Sequence, residues 1–192
     1  MEKEYLLNYI AKNSFKYSDE PIFKLQSGKM SNYYINLKAT TLNPETLWII
    51  GKMVYEIIKD KDIEAVGGLT LGADPIAIST SLYANSQGKK IYPFIVRKEP
   101  KSHGTKKLIE ACFESKPQVF VIDDVITTGG STIKAIESCI SEGFKVKGVV
   151  CIVDRIEGGR EIIESQYNIK VFSLFTKEDV FKAYKKPELK NT

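Results

Sequence analysis

The sequence predicts an α/β protein with a central, mainly parallel sheet and helices on both of its faces. Three observations carry this reading. From about residue 60 onward, short apolar runs alternate with segments of helical spacing. The runs at 91–96, 119–122 and 146–153 are close to continuous in apolar residues, as strands covered on both faces require. The chain has 192 residues, 43% of them hydrophobic, enough for one domain with a full core.

Taken in order, residues 3–13 are expected to form an amphipathic helix with Leu6, Leu7, Tyr9 and Ile10 on its apolar face. Residues 22–42, IFKLQSGKMSNYYINLKATTL, alternate loosely around a Ser-Gly turn and read as strands or extended segments. Residues 44–59 return to helical spacing. Pro44 stands near the start of that helix, and Leu47, Ile50, Met53, Val54, Ile57 and Ile58 form its stripe. Ala65-Val66 opens a short strand that runs into GGLTLGADP, and a helix is expected over 75–87. After the strand at 91–96 comes a charged interruption, RKEPKSHGTKK. A strand at 119–122, a helix at 131–141 and a strand at 146–153 complete the pattern, and KKPELKNT at 185–192 reads as a solvated tail. The whole is one domain, 1–192, with a small N-terminal unit over about 1–42 and an α/β core over about 60–175.

Composition narrows the function. The formal net charge is 28 − 24 = +4. That is too small to imply nucleic acid, and residues 1–60 are neither long nor basic enough for a separate nucleic-acid module. It suits an anionic small molecule if the cations converge. The longest apolar run, 149–153, is far too short to cross a bilayer, and the N-terminus has no signal-peptide core. Cys112, Cys139 and Cys151 are odd in number and widely spaced, which indicates neither a disulfide framework nor a zinc site. Cys139 and Cys151 fall in apolar segments and read as buried, inert thiols. A reducing, cytoplasmic setting is expected.

The chemistry concentrates in VFVIDDVITTGGSTIKAI, residues 119–136. Gly129 and Gly130 let the backbone curl so that several N–H groups face one centre. The following helix adds free donors and the positive end of its dipole, and Thr127, Thr128, Ser131 and Thr132 add hydroxyls. This is an anion site, most naturally for phosphate. Asp123 and Asp124 cannot hold the same anion; their partners are hydroxyls, a cation, or both. A sugar phosphate satisfies both halves. Neither a Walker lysine nor a GxGxxG fingerprint is present. In open sheets ligands lie beyond the carboxyl ends of the strands, so these acids, the GGLTLGA loop and Asp154-Arg155 are expected on one rim.

The stretch VFVIDDVITTGGST resembles the phosphoribosyl-diphosphate (PRPP) motif of type I phosphoribosyltransferases. The resemblance implies that fold, with residues of about 1–42 forming a small hood. It also implies that Asp123 and Asp124 contact the ribose while Val125, Ile126, Thr127, Thr128, Gly129, Gly130 and Ser131 hold the 5-phosphate. RKEPKSHG, residues 97–104, is similar to the basic loop of orotate phosphoribosyltransferases, which implies that Arg97, Lys98, Lys101 and His103 meet PRPP and that Lys101 and His103 assist catalysis. FKLQSGKMSNYY resembles the segment that walls the pyrimidine pocket, which implicates Ser27, Gly28, Tyr33 and Tyr34, together with Thr127. Adjacent strand positions face opposite ways, so at most one of the two tyrosines stacks on a base unless the strand is irregular. VDRIEGG resembles the segment whose arginine, here Arg155, meets orotate. The bland reading of Arg155 is half of an ion pair with Asp154 or Glu157. GGLTLGADPIA resembles the loop that receives diphosphate. Lysines that some members carry are replaced here by Gln26 and within Leu71-Gly72-Ala73, with Lys29 nearby.

The family implies transfer of ribose 5-phosphate from PRPP to orotate in pyrimidine biosynthesis, with Mg2+ carried mainly by PRPP and water, and a homodimer with shared active sites. The competing readings are a phosphoribosyltransferase for another base, a PRPP-binding regulator, and a nucleotide-binding module without chemistry.

Overall fold

The computed structural model describes residues 1–24, 28, 30–99, 108–113 and 116–186. Helix α1 (Glu2–Asn13) buries Leu6, Ile10 and Ala11 and leads into β1 (Phe15–Tyr17). Strands β2 (Phe23–Lys24) and β3 (Met30–Ser31) pair with each other, and β4 (Tyr33–Ile35) pairs antiparallel with β1. These short strands and α1 lie within the first 35 residues of the chain. Residues 38–41, expected to be extended, instead form the short helix α2 (Lys38–Thr41). The amides of Thr40 and Thr41 turn back to the Leu37 carbonyl, and both threonines are buried there. Helix α3 (Pro44–Ile58) starts as expected, with the Asn43 side chain accepting from the amides of Glu45 and Thr46.

The core then alternates β5 (Ala65–Leu69), α4 (Ala73–Ser86), β6 (Tyr92–Val96), β7 (Ile109–Glu110), β8 (Gln118–Ile126), α5 (Gly130–Ser141), β9 (Lys145–Asp154), α6 (Gly159–Tyr167), β10 (Lys170–Thr176) and α7 (Lys177–Tyr184). The six strands lie in the order β10-β9-β8-β5-β6-β7. All neighbours are parallel except β7, which returns antiparallel on β6.

Strand periodicity divides the core into two layers. Phe120 and Ile122 of β8, with Val150 and Ile152 of β9, pack with α1, α3 and α4. Val119, Val121, Val149 and Cys151 point the other way, onto Ala135, Ile136 and Cys139 of α5 and Ile163 of α6. Burial pushes the Cys139 thiol up to about 12 and Cys151 higher still, so both are inert, as their apolar setting in the sequence led one to expect.

A further expectation needs correction. Strand β8 does not stop at Ile122, because its pairing with β9 continues through Asp123↔Cys151 and Val125↔Val153 to Ile126↔Asp154. Both acids therefore lie within the strand. The elements beyond residue 158 were not foreseen, although Thr176 and Asp179 form a capping box at the start of α7. The expected tail lies outside the described residues beyond Lys186. Among the described residues, no helix is long and apolar enough to cross a membrane.

Candidate active site

The rim at the carboxyl ends of β5, β8 and β9 gathers most of the predicted residues. Asp123 and Asp124 occupy successive positions of β8, so they leave the sheet on opposite faces. Asp123 turns toward α5 and is only 6% exposed. Its Oδ2 accepts from Thr132 Oγ1 at 2.6 Å and Ser131 Oγ at 2.9 Å, while Oδ1 accepts from the Asp124 amide at 2.9 Å. Burial, and next the Asp124 charge, pushes the Asp123 carboxyl up to about 7 against the lowering effect of the two hydroxyls. Asp124 is half-buried. Its Oδ1 accepts from the Val125 amide, and its carboxylate lies against Gly72, where an added Cβ would come within 2.6 Å of it.

The turn after β8 has the form of an anion cradle. Gly129 caps α5 in the left-handed region at φ +85°, which a side chain would strain. No side chain caps this helix start, so its first amides are free for a ligand. Thr127 is half-buried, Thr128, Gly130 and Ser131 are exposed, and Thr132 is buried. The cradle is backed by the segment after β9. The Gly159 amide donates to the Thr127 carbonyl at 3.0 Å, and the Arg155 amide donates to Ile126 O at 2.9 Å. A Cβ on Gly159 would stand 2.5 Å from Thr127 O, so the contact admits only glycine. Val125 and Ile126 lie within β8, and the Ile126 side chain is buried in the α5 layer.

Arg155 is 8% exposed. Its Nε donates to the Tyr33 hydroxyl at 3.1 Å, and its guanidinium carbon lies 4.8 Å from the Tyr33 ring centre. The same hydroxyl donates to Glu157 Oε1 at 2.8 Å. Burial first, then this bond to Glu157, raises the Tyr33 phenol above its usual range, which keeps it a donor. Of the two candidate ion-pair partners, Glu157 is the one engaged, with Oε1 2.8 Å from Arg155 Nη2. Asp154 is held instead by Arg160 Nε and the Ile156 amide, each at 2.8 Å. Tyr33 and Tyr34 diverge as strand alternation requires. Tyr33 stacks on Phe15 toward the core, whereas Tyr34 is exposed beside Phe23.

The remaining predicted residues are more scattered. Gly28 takes a positive φ of +81° in the turn between β2 and β3, and Ser27 lies outside the described residues. Arg97 closes the stem made by β6 and β7: its amide donates to Leu108 O, and its guanidinium pairs with Glu110 at 3.3 Å. Lys98 is exposed, with its carbonyl accepting from Lys134 Nζ. Lys101 and His103 lie outside the described residues. Thr132, Glu157 and Gly159 were missing from the predicted site. The Gly158-Gly159 pair was a legible signal; Thr132 was read only as a further hydroxyl donor to the anion, and Glu157 only as one of two ion-pair candidates for Arg155.

Among the described residues, no group of three His, Cys, Asp or Glu side chains could hold a metal. Two carboxylates nevertheless border the glycine loop between β5 and α4. Among the described residues Asp124 accepts with Oδ1 alone, and Asp74 accepts from Thr70 Oγ1 with Oδ2 while its buried Oδ1 accepts from no described residue. Such an oxygen-only set fits a hard divalent cation that brings most of its ligands with it.

No family model matches the chain. An orotate phosphoribosyltransferase of Aquifex aeolicus is 49% identical over 175 residues, covering 91% of this chain and 95% of the relative. The chain belongs to the orotate phosphoribosyltransferase family. The Methanocaldococcus jannaschii orotate phosphoribosyltransferase is 40% identical over 158 residues, with 82% of this chain and 86% of the relative covered. A crystal structure of Mycobacterium tuberculosis orotate phosphoribosyltransferase superposes with a TM-score of 0.81 at 33% identity, covering 94% of this chain and 99% of that one. A structure of the same enzyme in complex with PRPP gives a TM-score of 0.74 at 29% identity, covering 93% and 91%. The orotate phosphoribosyltransferase fold is thus the one described above, a mainly parallel six-stranded sheet between helical layers.

Proposed function

We propose that this chain transfers the 5-phosphoribosyl group of PRPP to a ring nitrogen of orotate, giving orotidine 5′-phosphate and diphosphate in pyrimidine biosynthesis. The observation that carries the reading is a buried arginine, Arg155, on the same rim as an uncapped glycine turn at a helix N-terminus. One receives a carboxylate in paired fashion, the other a phosphate. Orotate carries that carboxylate; uracil, hypoxanthine and adenine do not.

Each residue then has a task. The amides and hydroxyls of Thr127, Thr128, Gly129, Gly130 and Ser131 hold the 5-phosphate. Asp124 faces the cleft and takes ribose hydroxyls. Asp123 orders Ser131 and Thr132 and adds negative potential under a sugar that becomes oxocarbenium-like as its bond breaks. Arg97, Lys98, Lys101 and His103 neutralise the departing diphosphate, with Lys101 and His103 assisting the leaving group. Thr127, Tyr33, Tyr34, Ser27 and Gly28 wall the pyrimidine, and Arg155 fixes its carboxylate. Mg2+, bordered by Asp124 and Asp74 and carried mostly by substrate oxygens and water, would act as a Lewis acid on the diphosphate.

The same reading includes a homodimer in the cytoplasm. Its support is helix α4: residues 75–88 hold no charge, and Ile78 and Leu82 stand 44% and 61% exposed, with Leu71 exposed at the helix's leading end. An apolar, uncharged face of this kind suits a second copy of itself. The direct test is to mix the protein with PRPP, Mg2+ and one base at a time. Diphosphate release with orotate and not with uracil or adenine supports the assignment; release that ignores the base, or needs a purine, refutes it.

A further inference from the structure

The ion pair at Arg155 has features that a merely structural brace would not need. Asp154 is committed to Arg160 and the Ile156 amide, so among the described residues it is Glu157 that balances the buried guanidinium. That balance is poorly directed. Glu157 Oε1 lies 2.8 Å from Nη2, yet Nη2 is buried without an aligned hydrogen-bond acceptor among the described residues. The two partners also differ in freedom. The Arg155 side chain is 9% exposed and the Glu157 side chain 32%, so only the carboxylate can withdraw into water. Its reach depends on a tight reversal of the chain: Ile156, a β-branched residue, sits at φ +57° and Gly158 at φ +90°. Glutamate is thereby folded back onto the arginine two positions before it.

We propose that Glu157 is a displaceable internal carboxylate that occupies Arg155 in the empty site and yields the guanidinium to the carboxylate of the incoming pyrimidine. The inference rests on the reading of Arg155 as the receptor for orotate. A buried guanidinium left without a counter-charge is costly, and an exchange of one carboxylate for another keeps it paired throughout. Two carboxylates at one guanidinium repel, so the resident one sets a threshold that an anionic ligand must overcome. A neutral pyrimidine meets no such threshold and gains nothing from its removal.

The test is calorimetric titration of orotate, and of uracil as the neutral probe, into the wild-type protein, Glu157→Gln and Arg155→Gln. Glutamine keeps the size of the side chain and its acceptor for Tyr33 while removing the charge. Orotate is expected to bind Glu157→Gln about tenfold more tightly, a gain at the lower end of the range of close charge pairs, with uracil unchanged and the melting temperature retained. Unchanged or weaker orotate binding, or equal shifts for both pyrimidines, shows Glu157 to be a brace and overturns the proposal. Arg155→Gln separates the two levels. If it abolishes orotate binding while Glu157→Gln has no effect, only the displacement fails; if orotate ignores Arg155→Gln, the receptor reading fails as well.

Discussion

Asp123 carries its charge where water is nearly excluded, and that has a consequence for pH. An aspartate in an unfolded chain titrates near pH 4, whereas burial and the neighbouring Asp124 charge hold this carboxyl up at about 7 in the folded protein. Between those values the native state binds more protons than the unfolded one, so stability falls as pH rises. The penalty is absent below pH about 4 and complete above about 7, on the order of a few kcal/mol. Urea unfolding at pH 5 and pH 8 should show this decline in the wild type and a weaker one in Asp123→Asn; equal slopes would contradict it. Arg155→Lys should raise the KM for orotate by about ten- to hundredfold, the worth of a lost charged hydrogen bond, and leave the KM for PRPP within a factor of about two. At this scale the sequence was legible where residue type alone dictates the chemistry, as in Thr127-Thr128-Gly129-Gly130. It offered the Thr132 hydroxyl to the anion, whereas that hydroxyl donates to Asp123, a partner it reaches only after a turn of α5 is in place. The choice of Glu157 over Asp154 as the partner of Arg155 was also open, since it follows from a backbone angle at Ile156 rather than from composition.

The elements decide where these side chains stand. Strand β8 turns two adjacent acids to opposite faces of the sheet, and the sequence could show the pair but not the separation, because the strand's true end depends on its pairing with β9. The cradle is likewise a joint product of two elements. The segment entering α6 presses Gly159 against Thr127 O and the Gly129 amide, with room for no side chain. Gly159→Ala should therefore cost about 1–3 kcal/mol, as overpacked sites do, and raise the KM for PRPP more than that for orotate. Thermal melts together with initial rates would check both; a variant with wild-type stability and KM values would contradict the contact. Helices α6 and α7 escaped sequence reading for a physical reason. They lie near the edge of the sheet, are only nine and eight residues long, and bury two residues each, so few apolar positions mark them.

At the scale of the whole molecule, a parallel sheet brings three loops from distant parts of the sequence to one rim, and this much followed from the alternation of apolar strands and helices alone. Self-association is the property that alternation says least about. Leu82 stands 61% exposed on the uncharged face of α4, and Leu82→Asp is expected to give a monomer by sedimentation and to lose most of the activity if sites are shared. A monomeric wild type would remove that part of the account. The account as a whole claims that one rim holds a phosphate at the glycine turn and a carboxylate at Arg155. Orotidine 5′-phosphate carries both groups, so a crystal structure of its complex is the most direct measurement. The phosphate should sit on the amides of residues 127–131 and the pyrimidine carboxylate on the Arg155 guanidinium, with Glu157 moved aside. A ligand bound elsewhere, or one that leaves that turn empty and Arg155 still paired with Glu157, would contradict it.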